Sequence, residues 1–242
     1  VKDGSADWPS QPGFDSRFDW GPQGVERLAP KVRAVVVVDV LRFTSAVETG
    51  CSRGVTVFPY RWRDESAAEF AREKGALLGG APGAPSLSPL SLRGLEAGTR
   101  IVLPSPNGAT CSLLAAGSGA TVVAGCLRNA AAVANWLRAR GGPVAVIACG
   151  ELWPDGSIRP SLEDMIGAGA ILSRLEGNRS PESEAAVAAF EWARSRLLDS
   201  ISDCASGRQL VNLGHAEDTP WCADLDVSDT VPILRDGAYI AG

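Results

Sequence analysis

Histidine is nearly absent from this sequence: His215 is the only one in 242 residues. That sets aside zinc sites built on two or three imidazoles and weighs against His-centred nucleophilic schemes. A metal must then be carried by carboxylates, and oxygen ligands favour Mg²⁺, Mn²⁺ or Ca²⁺. An excess of positive charge is also missing. With 23 Lys and Arg against 28 Asp and Glu, the net charge is −5 and the pI about 5.0. This argues against a nucleic-acid partner held by bulk electrostatics, yet allows a local pocket for a small anion. No apolar run reaches the length of a membrane helix, and no signal-like stretch opens the sequence, so no membrane partner is expected. The chain begins at Val1 rather than methionine, which leaves a preceding segment open. None of the six cysteines, at 51, 111, 126, 149, 204 and 222, forms a C-x-x-C pair. Scattered buried thiols in a reducing cytoplasm are expected rather than a disulfide framework.

What is present is an ordinary globular composition, 45% apolar and 21% charged, with ample length for a core. Residues 1–33 carry Gly, Pro and isolated aromatics and are expected to be irregular or a short edge strand, ahead of one domain at 34–242. AVVVVDV at 34–40 reads as a strand buried on both faces. Further strands are expected at 55–60, 100–103, 121–124 and 144–149. Helices are expected at 44–53, 64–74, 109–116, 129–140, from 161 onward, and as one long element at 182–204. A hairpin is expected at 232–240. Strands alternating with helices imply an α/β fold of three layers, α/β/α, with a mostly parallel or mixed central sheet.

In such sheets ligands bind at the carboxyl ends of strands. Four strand exits carry polar groups: Asp39 and Arg42, Ser105 and Asn107, Arg128 and Asn129, and Glu151. Asp39 ends an apolar strand, where a carboxylate must be paired, hydrogen-bonded or metal-bound. Arg42 can pair with it or grip a phosphate; Thr44 can donate to the same anion or cap the next helix. A haloacid-dehalogenase nucleophile motif needs Asp-x-Asp, and Leu41 stands at the second position. Ser105 to Thr110 joins a strand to a helix whose N–H groups, Gly108 included, can hold an anion; a plain turn with an N-cap explains it equally. Ser161-Leu-Glu163-Asp164 fits a capping box, and adjacent acids at a helix start also suit a hard cation. His215, beside acids, is either a proton donor or an ordinary surface residue.

Taken together, VVVVDVLRFTSAVETG at 35–50, LPSPNGAT at 103–110, GCLRNAAAVA at 125–134 and IACGELWPDGSIRPSLEDMIGAGAIL at 147–172 resemble the 2-phosphosulfolactate phosphatase family, the ComB-like proteins. Asp39, Arg42, Asn107, Asn129, Glu163 and Asp164 match the family pattern. The resemblance implies a Mg²⁺-dependent phosphatase whose reference substrate is (R)-2-phospho-3-sulfolactate, in coenzyme M synthesis. On chemical grounds Asp39, Glu163 and Asp164 are the expected metal ligands, with Asp39, Arg42 and Glu151 catalytic. Thr44, Ser105, Asn107, Gly108, Arg128 and Asn129 are expected to bind substrate, and Arg128 or Arg159 to hold its sulfonate or carboxylate. The segment 79–89 departs from the family's Gly-Glu-Arg and Gly-Asn-Ser-Pro elements: the chain reads Gly79-Gly80-Ala81 and Ser86-Leu87-Ser88-Pro89, and only Ser88-Pro89 survives. That departure motivates an alternative, a non-catalytic binder of a small phosphorylated or sulfonated metabolite. The assembly state stays open, a homo-oligomer included.

Overall fold

The computed structural model describes residues 7–153 and 155–242. Its strands are β1 (Ser16–Trp20), β2 (Ala34–Val38), β3 (Thr56–Tyr60), β4 (Leu77–Leu78), β5 (Arg100–Pro104), β6 (Thr121–Gly125), β7 (Val144–Ala148), β8 (Glu151–Leu152), β9 (Ile158–Arg159), β10 (Pro232–Arg235) and β11 (Ala238–Ala241). Its helices are α1 (Gly21–Leu28), α2 (Phe43–Ser52), α3 (Glu65–Lys74), α4 (Pro89–Leu92), α5 (Gly108–Ala116), α6 (Ala130–Arg140), α7 (Leu162–Leu172), α8 (Pro181–Ala193), α9 (Leu197–Asp203), α10 (Ala205–Asn212) and α11 (Asp218–Ala223).

The valine run of β2 explains the layering. Successive strand residues point to opposite faces, and all five residues of β2 are buried. Val36 and Val38 pack with Val133 of α6, Ile166 of α7 and Phe190 of α8. Val35 and Val37 pack with Leu28 of α1, Phe43 of α2 and Ala109 of α5. Each such valine contributes about 1.5–3 kcal/mol by leaving water, so the strand cannot face solvent on either side. The result is the expected three-layer α/β/α fold.

The sheet has nine strands in the order β1-β7-β2-β6-β10-β11-β3-β5-β4. Pairing is parallel within β1-β7-β2-β6 and within β3-β5-β4. The β10–β11 hairpin joins the two blocks and is antiparallel to both neighbours. The hairpin itself is legible in the sequence; its position in the middle of the sheet is not.

Two boundaries differ from expectation. The short edge strand allowed for within residues 1–33 is β1, which lies at the edge of the sheet and pairs with β7 in register, but residue 33 does not bound the domain, because α1 also packs against α5. Residues 1–6 of that segment lie outside the described residues. The long helix expected at 182–204 is divided by a 3₁₀ turn at Arg194–Arg196, and Cys204 adopts an extended backbone before α10. All six cysteines are buried and unbridged. Among the described residues no helix is long and apolar enough to cross a membrane.

Helix α7 lies close against both β2 and α8, and small residues make this contact possible. A Cβ at Gly169 would stand 2.0 Å from the Ala186 carbonyl of α8, and one at Gly167 would stand 2.6 Å from Val40. This close packing sets the first turn of α7, with its two acids, beneath the end of β2.

Candidate active site

Asp39 follows β2 with 6% of its surface exposed. A carboxylate so placed needs donors, and two helix N-termini supply them. Its Oδ1 accepts the Phe43 N–H of α2 at 3.0 Å, and its Oδ2 accepts the Gly108 N–H of α5 at 3.0 Å. Both helix ends favour negative charge there. The approach of α5 requires glycine at 108, since a Cβ would lie 2.3 Å from the Phe43 ring and 2.7 Å from Asp39 Oδ2. Thr44 secures the backbone beneath: its hydroxyl donates to the Asp39 carbonyl at 2.8 Å and accepts the Asp39 N–H at 3.0 Å. Ser105 Oγ accepts the same Gly108 N–H at 3.2 Å.

Three of the four polar strand exits, from β2, β6 and β7, belong to one parallel block and share an edge. The exit from β5 belongs to the other block and joins them through the Gly108–Asp39 bond. Asn107 adds a second link. Its Nδ2 donates to Glu151 Oε2 at 3.1 Å, and its Oδ1 accepts the Leu152 N–H at 3.2 Å, so it clasps the short strand β8. It does not cap α5 with its side chain.

The capping box expected at Ser161 and Asp164 does not form. The Asp164 carboxylate turns inward, and its Oδ1 accepts the Val40 N–H at 2.8 Å while its Oδ2 accepts the Gly150 N–H at 2.9 Å. These buried amides just past β2 and β7 need an acceptor, and Asp164 ties the two strand ends together. Its neighbour Glu163, 3% exposed, accepts a bond from the Cys204 thiol at 3.3 Å.

Four acids, Asp39, Glu151, Glu163 and Asp164, thus share one region, and their charges interact. Burial and the nearby Glu151 and Glu163 push Asp39 from its ordinary 3.8 up to about 6, against the opposing pull of the Phe43 and Gly108 N–H groups. Burial, then Glu163 and Asp39, hold Asp164 well above the usual carboxylate range.

The ion pair weighed between Asp39 and Arg42 is not made. Arg42 Nη1 donates instead to Asp218 Oδ2 of α11 at 2.6 Å, and Ser88 donates its hydroxyl to the other Asp218 oxygen. Arg42 also lines a cleft of about 350 Å³ with Arg63, Ser86, Leu87 and Pro104.

Arg128 and Asn129 sit at the β6 exit but are occupied elsewhere. Arg128 Nε bonds Glu48 at 2.9 Å, its Nη1 bonds the Trp221 carbonyl at 2.9 Å and Asp224 at 3.1 Å, and its guanidinium lies 3.8 Å from the Trp221 ring centroid. Asn129 accepts the Cys126 N–H at 2.9 Å and donates to the Ala124 and Thr230 carbonyls at 3.3 and 3.0 Å. These bonds tie the β6–α6 turn to the segment before β10. Arg159 donates to Ser206 Oγ at 3.0 Å. His215 lies in the turn after α10, with backbone hydrogen bonds to Leu210 and Asp218.

The donor chemistry of the acidic region fits a hard cation. Its ligands are oxygens, and their mutual repulsion is what a divalent ion would relieve. Glu151 and Glu163 have the least committed oxygens, since each accepts one side-chain bond on Oε2. Asp39 and Asp164 each have both oxygens held by backbone N–H groups, with one lone pair left on each oxygen. Among the described residues no group of three or more His, Cys, Asp or Glu side chains is placed to hold a metal ion; Mg²⁺ would need only one or two carboxylates, with water and phosphate oxygens completing its shell.

A profile of the family described as 2-phosphosulpholactate phosphatase matches residues 22–237. The chain belongs to the 2-phosphosulfolactate phosphatase family. Its relatives include a probable 2-phosphosulfolactate phosphatase of Carboxydothermus hydrogenoformans, 38% identical over 211 residues, which cover 83% of this chain and 85% of that protein. A 2-phosphosulfolactate phosphatase of Methanothermobacter thermautotrophicus is 32% identical over 84% of this chain and 87% of its own length. A probable 2-phosphosulfolactate phosphatase of Thermotoga maritima is 29% identical over 86% of this chain and 92% of its own. Membership makes the chain a phosphoric monoester hydrolase.

Within this family member, sequence reasoning missed Asp218, Ser88 and Cys204. Asp218 lies 176 positions from Arg42, and neither local spacing nor capping chemistry connects them. In the sequence Cys204 is one scattered thiol among six; in the fold it caps α10 and touches Glu163.

Proposed function

We propose that this chain hydrolyses 2-phosphosulfolactate to sulfolactate and inorganic phosphate, with Mg²⁺ as cofactor. The family match over residues 22–237 carries the reaction; the geometry around Asp39 suggests the roles. Glu151, held by Asn107, accepts the proton of the attacking water. The water oxygen bonds to phosphorus, the bond from phosphorus to the C2 oxygen of the substrate breaks, and that oxygen takes a proton from solvent to become the hydroxyl of sulfolactate, while Glu151 returns its proton to solvent. Arg42 and the Ala109 and Thr110 N–H groups in the first turn of α5 stabilise charge on the transferring phosphoryl group. Asp39 and Glu163 would hold Mg²⁺, with Asp164 fixing the loops behind them, and the ion would supply further charge stabilisation on the phosphoryl oxygens.

The test is phosphate release by the purified chain from 2-phospho-3-sulfolactate, with Mg²⁺ and with EDTA. Release that requires Mg²⁺ and falls by about 10²-fold or more in Glu151→Gln supports the reading. No release with any divalent ion overturns it; sulfolactate binding without turnover then favours a non-catalytic binder.

A further inference from the structure

We propose that the cleft beside Arg42 receives one of the two non-transferred anions of the substrate, its carboxylate or its sulfonate, and that Arg63 is its specificity-determining residue. This rests on the phosphatase reading above and goes further, to how the substrate is chosen.

The cleft, of about 350 Å³, is large enough for a small organic acid. Two guanidinium groups line it, and they differ in what they have available. Arg42 is joined through Nη1 to Asp218, which Ser88 also holds, so Arg42 is fixed in place with part of its donor fork committed. Arg63, in the loop between β3 and α3, has no acid within ion-pair distance among the described residues. Asp64, which also lines the cleft, is committed through Oδ1 to the start of α3, where that oxygen accepts the Ser66 N–H at 3.0 Å and the Ser66 hydroxyl.

The facing wall adds no charge. Residues 75–92 contain no Asp, Glu, Lys or Arg, and their backbone is tied down. Gly79 N–H donates to the Val102 carbonyl at 2.8 Å, Gly80 N–H to the Pro85 carbonyl at 2.8 Å, and Ser86 N–H to Ser91 Oγ at 3.0 Å. A neutral, hydrogen-bonded wall facing a guanidinium without an ion-pair partner offers an anion a fork of donors, although Asp64 shares the lining, the chain carries −5 and the neighbouring centre is acidic. An alcohol gains little there; a carboxylate or sulfonate gains charge-assisted, forked hydrogen bonds. Arg42, three residues after Asp39, joins this cleft to the reacting centre.

Kinetics of phosphate release compares 2-phosphosulfolactate with glycerol 2-phosphate, a secondary phosphate ester with no other anion. In Arg63→Gln the ratio of kcat/KM for the first over the second falls about tenfold or more, and Arg63→Lys recovers part of it. An equal change for both esters, or none for either, overturns the proposal. Calorimetry with 3-sulfolactate reads the cleft without turnover: wild type binds, and Arg63→Gln binds about tenfold more weakly. Equal binding, or no binding by wild type, also overturns it. Binding that depends on Arg63 in a chain that releases no phosphate leaves the cleft assignment standing and sinks only the phosphatase reading.

Discussion

Replacing Asp39 by asparagine removes a charge and keeps the shape of the side chain. Its effect on stability depends on pH, with a sign fixed by the structure. Burial and neighbouring acids raise the Asp39 carboxyl from 3.8 to about 6 in the folded chain. Between those values the folded state binds more proton than the unfolded one, so stability falls as pH rises through this window. The contribution is intact below about pH 4 and lost above about pH 6. At 1.36 kcal/mol per pKa unit the loss is at most about 3 kcal/mol. Asparagine does not titrate, but its amide nitrogen must face either the Phe43 or the Gly108 N–H. That lost acceptor costs about 1–3 kcal/mol at every pH. Asp39→Asn is therefore less stable than wild type in acid, and becomes equal or more stable above neutrality while losing phosphatase activity. Relief of Asp164, which Asp39 also repels, acts in the same direction. The assay is urea denaturation of both proteins from about pH 4 to about pH 8 in EDTA, read as the difference in unfolding free energy. A difference that stays flat, or that favours wild type more strongly as pH rises, refutes the reasoning.

Two further outcomes follow from contacts at the same centre. Gly108→Ala forces its Cβ against the Phe43 ring and Asp39 Oδ2; the shift costs about 1–3 kcal/mol and lowers Tm by several degrees, with phosphate release falling in parallel, and a variant with wild-type Tm and kcat would show that α5 does not need this approach. Asp218→Ala strips Arg42 of its partner and costs about 3–5 kcal/mol, whereas Ser88→Ala removes one hydrogen bond at about 1 kcal/mol; denaturant titrations that give the two variants equal losses contradict the arrangement.

The elements most legible in the sequence were those that solvent exclusion writes locally. The valines of β2 announce a strand covered on both faces, and Asp64 with Gly75, at φ 57°, marks both ends of α3 as expected. Legibility stopped where one group's partner lies far along the chain. Asp164 looks like part of a capping box from its neighbours, yet its acceptor oxygens meet Val40 and Gly150. Arg42 looks like a partner for Asp39, yet it meets Asp218. Arg128, which reads as a free cation at a strand exit, is enclosed by Glu48, Trp221 and Asp224. The break at Arg194–Arg196 has no proline or glycine to announce it. In each case the residue type signalled a need for a partner, and only the tertiary fold chose which one.

The position of the β10–β11 hairpin bears on how the chain is made. As the protein emerges in order of synthesis, β3 and β6 are finished long before residues 232–241 exist. Until then Val57 and Val123 lack the partners they later find in Tyr239 and Ile233. Two open strand edges persist through that interval, the kind of surface on which other chains pair and aggregate. A nonsense mutation just before residue 232 would therefore not trim a rim. It would leave the interior of the sheet unjoined, and a cell's quality control would meet two half-sheets in place of one enzyme.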